Sequence, residues 1–101
     1  MAITTKVRDP ITPGEILLTE FLKPLGITQY RLAQATGLPQ TRISEIVRGK
    51  RSITTDTALR LSKALGVDDR FWINIQTDYD IEIERDLHAD DLAKVTTLVA
   101  G

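Results

Sequence analysis

The chain contains no cysteine and a single histidine, His88. Without thiols it can build no disulfide framework, no thiolate nucleophile and no cysteine-based zinc site, a composition that fits a reducing compartment. His88 stands in an acidic tail, and no set of nucleophile, base or metal ligands can be assembled around it. The chain is therefore expected not to be an enzyme and to need no cofactor. Asp78, Asp80, Glu82, Glu84, Asp86, Asp90 and Asp91 follow no calcium-loop spacing and lack that loop's central glycine, so they read as a solvated face. No stretch approaches the roughly 18 apolar residues of a membrane span. Met1-Ala-Ile-Thr-Thr-Lys6 lacks the apolar core of a secretory leader. These absences point to a cytoplasmic protein with no membrane partner.

What is present suits one small soluble domain: 101 residues, 42% hydrophobic and 27% charged, enough for a single packed core. The formal net charge of −1 hides a division. Residues 1–66 hold ten basic and five acidic side chains, whereas residues 67–101 hold three basic and nine acidic ones. Such asymmetry suggests a basic binding head followed by an acidic extension, or the solvated faces of an ordinary domain.

Capping and periodicity divide the head into five helices. Thr12-Pro-Gly-Glu15 carries a cap, a proline suited to the first helical position and the acid of a capping box. Ile16, Leu17, Leu18, Phe21, Leu22 and Leu25 then recur at helical spacing until Pro24 and Gly26, which predicts a helix over about 12–23. Thr28 can cap a second helix to residue 36, closed by Gly37. Pro39 begins a third, with Ile43, Ile46 and Val47 as its apolar stripe and Gly49 at its end. Thr54 or Thr55 opens a fourth, with Ala58, Leu59, Leu61 and Leu65 available for burial and Gly66 as its stop. Asp68 or Asp69 can cap a fifth that carries Phe71, Trp72, Ile75 and Tyr79 on one face and continues toward Leu87. In the tail, Ile81-Glu-Ile83 alternates like a strand, and Val95-Thr-Thr-Leu-Val99 is β-branched and strand-prone.

The separation of Ala33, Gly37, Ile43 and Ile46 is that of a helix-turn-helix over about residues 28–48. Ala33 is small where the two helices cross, Gly37 can take the positive φ of the tight turn, and the two isoleucines bury beneath it. Gln40, Thr41 and Arg42 then open the second helix, where a recognition helix presents side chains to base edges. Gln can bond to adenine, Thr can touch the thymine methyl, and Arg can fork onto guanine or a phosphate. Arg48-Gly-Lys50-Arg51 places three cations just past that helix, near a phosphate backbone if the helix enters the groove. Gln29 can donate to a phosphate from the start of the preceding helix, or is a surface glutamine.

Thr12-Pro-Gly-Glu-Ile16, Gln29-Tyr-Arg-Leu-Ala33, Arg42-Ile-Ser-Glu-Ile46, Arg48-Gly-Lys-Arg51, Asp56-Thr-Ala-Leu-Arg-Leu61 and Phe71-Trp-Ile-Asn-Ile-Gln76 with Tyr79-Asp80 together resemble the phage Cro and repressor class. Within that class they are similar to the HigA antitoxins of toxin–antitoxin systems. The helix-turn-helix portion is shared with many repressors; the Pro-Gly-Glu start and the Phe-Trp to Tyr-Asp helix are more particular to the antitoxins. The resemblance covers residues 12–80. It implies an all-α, Cro/phage-repressor-like domain of five helices, and a homodimer that binds a palindromic operator before its own operon. It also implies a HigB-type partner, a small mRNA-cleaving toxin that the chain silences. Carried over by position, Gln40, Thr41 and Glu45 would face bases, while Gln29, Arg42, Ser44, Arg48, Lys50 and Arg51 would lie on or near the backbone. Glu45 can accept from cytosine N4 or pair with Arg42 or Arg48.

The expected organisation is a DNA-binding domain over residues 1–80 and an acidic extension over 81–101, capable of a short strand and of dimer or partner contact. The rival readings are a stand-alone repressor of the same fold without a toxin, and a helical bundle that binds only protein.

Overall fold

A computed structural model describes residues 9–100, so the reading of Met1 to Lys6 lies outside the described residues. Six helices and no strand make up what is described. Helix α1 covers residues 13–25, α2 Gln29–Thr36, α3 Gln40–Val47, α4 Thr55–Leu65, α5 Phe71–Leu87 and the short α6 Ala89–Ala93.

Local chemistry sets most of these limits. The Thr12 hydroxyl accepts from the Glu15 N–H at 3.1 Å, Thr28 does the same for Arg31 at 3.0 Å, and Thr54 for Thr57 at 3.3 Å. Each cap satisfies an N–H that the helix itself cannot. Glycines in the left-handed region close α1, α2 and α4, with φ of 67° at Gly26, 77° at Gly37 and 71° at Gly66. Ahead of α5, Asp68 Oδ1 accepts from the Arg70 N–H at 2.8 Å.

Pro24 does not stop α1, contrary to the expected end near residue 23. Leu17–Leu22 form a π segment in which the Lys23 N–H reaches back to the Leu18 carbonyl. The ladder is thus already displaced by one residue where a proline ring would meet the carbonyl four positions back. The helix continues through Lys23–Leu25 and ends at Gly26.

The core gathers Leu17 and Leu22 from α1, Leu32 and Ala33 from α2, Ile43 and Ile46 from α3, Ala58 and Leu61 from α4, and Trp72 from α5. Trp72 is fully buried, with its ring 5.1 Å from those of both Phe21 and Phe71, tilted against the first and edge-to-face with the second, and Phe21 meets Phe71 edge-to-face at 5.7 Å, so an aromatic cluster joins α1 to α5. Leu59, expected to be available for burial, is instead exposed on the outer face of α4.

The extension is helical and then irregular. Ile81-Glu-Ile83 lies inside α5, where continuing an existing helix costs less than starting a strand. Val95–Val99 forms no strand, because no neighbouring strand offers it a ladder and all five residues face solvent. The radius of gyration, 16.6 Å, exceeds the roughly 13 Å of a compact chain of this length because α5 runs out beyond the core. Among the described residues no helix is long and apolar enough to cross a membrane.

Candidate nucleic-acid interface

The α2–turn–α3 unit is built from both sides. Ala33, Ile43 and Ile46 are buried between the two helices, as their spacing requires. Within the turn, the buried Thr36 hydroxyl donates to the Leu32 carbonyl at 2.8 Å and accepts from the Leu38 N–H at 3.3 Å. Arg60 of α4 braces the same corner: its Nη1 donates to the Thr36 carbonyl at 2.9 Å, and its Nε to Asp56 Oδ2 at 3.0 Å. One carbonyl left open at the end of α2 thereby gains a charged donor.

Helix α3 is positioned by α1 as well. A β-carbon on Gly14 would overlap the Ile46 carbonyl oxygen, so the first turn of α1 lies directly on the last turn of α3. With its buried stripe fixed on both sides, α3 turns Gln40 and Thr41 outward, both exposed on its first turn. Pro39 stands at its N-cap and provides no side-chain cap, unlike the threonines of α1, α2 and α4. Arg42, Ser44 and Glu45 are half-buried along the flanks, and Gln29 is half-buried at the start of α2.

Beyond α3 the chain turns through Gly49, with φ of 74°, and brings Arg48, Lys50 and Arg51 to the surface. Glu45 pairs with neither Arg42 nor Arg48. Its Oε1 accepts from Arg51 Nε at 2.7 Å, because the Lys50 N–H returns to the Glu45 carbonyl at 2.8 Å and folds the loop back along α3. Arg42, Arg48 and Lys50 make no ion pair among the described residues. The surface is therefore a polar helix start followed by cations, with one carboxylate held by one of them.

Behind this loop lies a cleft of about 130 Å³ lined by Gly14, Lys50, Arg51, Ser52, Gln76 and Tyr79, among others. Gln76, almost fully buried on α5, accepts from the Ile53 N–H at 2.8 Å through Oε1 and donates to Asp80 Oδ1 at 2.9 Å through Nε2. Gly14, Thr36, Arg60 and Gln76 were not anticipated as parts of this interface. Gly14, Arg60 and Gln76 do stand inside the sequence motifs quoted above, but their partners are remote along the chain.

Two short helices at a glycine turn, held by α1, α4 and α5, define a helix-turn-helix protein. The helix-turn-helix family model matches residues 18–72. Virulence-associated protein I of Dichelobacter nodosus is 51% identical over 73 residues, covering 72% of this chain and 68% of that protein. Antitoxin HigA-1 of Vibrio cholerae is 36% identical over 91 residues, covering 90% and 86%. The structure of Pseudomonas aeruginosa antitoxin HigA with the higBA promoter superposes with a TM-score of 0.82 at 32% identity, covering 89% of this chain and 99% of that one. The chain belongs to the helix-turn-helix family and, within it, to the HigA antitoxins.

Proposed function

We infer that the chain is a sequence-specific DNA-binding antitoxin that represses its own operon as a homodimer and neutralises a small mRNA-cleaving toxin of the HigB type. The observation that carries this reading is the exposed start of α3 beside the Arg48, Lys50 and Arg51 cluster, on a frame similar to that of an antitoxin solved with its promoter. In this reading Gln40 and Thr41 contact base edges. Gln29, Arg42, Ser44, Arg48, Lys50 and Arg51 engage the backbone, which fixes register and supplies the salt-dependent part of the affinity. Glu45 faces the groove while restraining Arg51. The chain acts by binding, without catalysis, in the cytoplasm.

Residues 81–101 form the contact extension of the 1–80 domain. Its exposed Leu87, Leu92, Val95 and Leu98, interspersed with carboxylates, support contact with a second copy or with a basic partner.

The test is a reporter placed behind the DNA upstream of the gene, in cells that also express the adjacent small open reading frame. Reporter repression together with growth rescue and co-purification is expected. Repression without any toxicity or complex would make the chain a stand-alone repressor, and loss of both would overturn the reading.

A further inference from the structure

We propose that Gln76, oriented by Asp80, is a positioning residue that holds the cationic loop after α3 in place for DNA. The proposal rests on the DNA-binding reading and concerns residues that touch no base or phosphate themselves.

The loop needs an anchor. From the Lys50 N–H bond to the Glu45 carbonyl until the Ile53 N–H, no backbone hydrogen bond holds Arg51 or Ser52 among the described residues. Arg51 is held only through its side chain, by Glu45, and the next point at which the backbone is fixed is Ile53, whose side chain is in the core and whose N–H is bonded to Gln76 Oε1. Gln76 thus sets where the loop leaves the surface, 23 residues away in sequence.

An amide can be placed either way round, with its oxygen or its nitrogen toward Ile53. Only the oxygen can accept from an N–H. The Asp80 carboxylate one turn further along α5 can only accept when ionised, so it draws the Gln76 NH₂ toward itself and turns the oxygen to Ile53. Asp80 is exposed and Gln76 is 5% exposed, so the pair runs from the outer face of α5 to the inner wall of the loop. Gln76 and Asp80 are also polar members of the Phe71–Asp80 motif, which the DNA contacts alone leave without a role.

The experiment exchanges donor and acceptor. Gln76→Glu keeps the shape but sets one carboxylate against another; adding Asp80→Asn restores a donor opposite the new acceptor. Hydrogen exchange at the Ile53 amide is read without DNA. Binding is read by fluorescence anisotropy over a salt series, on a duplex from upstream of the gene and on a scrambled duplex of the same length.

In Gln76→Glu, Ile53 exchange is expected to quicken. Affinity for both duplexes is expected to fall about fivefold or more, with a salt slope shallower by about one unit as one cation loses its phosphate. The double variant is expected to recover all three. If Gln76→Glu does not fold, Asp80→Asn, which sets an amide against an amide at the exposed end, should quicken Ile53 exchange more weakly, and unchanged exchange there would overturn the proposal. Unchanged Ile53 exchange, unchanged DNA affinity and slope in a folded variant, or absence of recovery in the double variant would overturn the proposal. Failure of the unsubstituted chain to bind either duplex would remove the DNA reading instead, and the Ile53 exchange distinguishes that case.

Discussion

Gly14 rests on the backbone carbonyl of Ile46 with no space for a methyl group between them. Backbone atoms cannot rotate aside as a side chain can, so close approach selects glycine here. The contact ties the first turn of α1 to the last turn of α3, immediately before Arg48.

Gly14→Ala is therefore expected to destabilise the chain by about 1–3 kcal/mol through overpacking, although alanine is the better helix former. Urea unfolding measures it. A midpoint equal to or above that of the unsubstituted chain would mean that α1 and α3 can separate freely.

The Thr36 hydroxyl serves the turn twice, and Thr36→Val removes it at nearly constant volume. The buried Leu38 N–H then loses its acceptor, for an expected loss of about 1–3 kcal/mol in the same assay. Arg60→Ala should also destabilise the turn, since the Thr36 carbonyl loses its donor. A neutral Thr36→Val would place the stability of the turn in Gly37, the Arg60 bond to the Thr36 carbonyl and the apolar contacts.

Much of this architecture is legible from neighbouring residues. Thr12, Thr28 and Thr54 cap helices three positions on, and Gly26, Gly37 and Gly66 end them, so helix limits depend on chemistry within one turn. The long-range supports are different. The bonds from Arg60 to Thr36 and from Ile53 to Gln76 join residues 24 and 23 positions apart, and no local pattern encodes such a pairing. The ion pair of Glu45 was legible as a need for a cation but not as Arg51, because the choice depends on how Gly49 turns the loop. The strand expected at Val95–Val99 rested on β-propensity, which has little force where no partner strand exists.

The pair between Glu45 and Arg51 is half exposed, so breaking it should alter stability by less than about 1 kcal/mol. Its effect on DNA should be larger. Glu45→Gln removes a negative charge beside the cation cluster and releases Arg51, so binding to scrambled DNA should strengthen and its salt dependence steepen. Anisotropy titrations would show this, and weaker binding to scrambled DNA would refute it.

Gln40 and Arg48 should separate sequence reading from general affinity. Gln40→Ala is expected to cost about 1–3 kcal/mol on the upstream duplex and little on a scrambled one, whereas Arg48→Ala should weaken both alike and lower the salt slope by about one. Equal losses for Gln40→Ala on both duplexes would remove it from base readout.

The most direct test of the DNA-binding role is the affinity of the unsubstituted chain for the upstream duplex and the scrambled duplex across a salt series. A steep negative dependence of binding on salt for both, with the upstream duplex bound more tightly throughout, is the expected result. Binding that ignores salt, or that is absent on both duplexes, would contradict it.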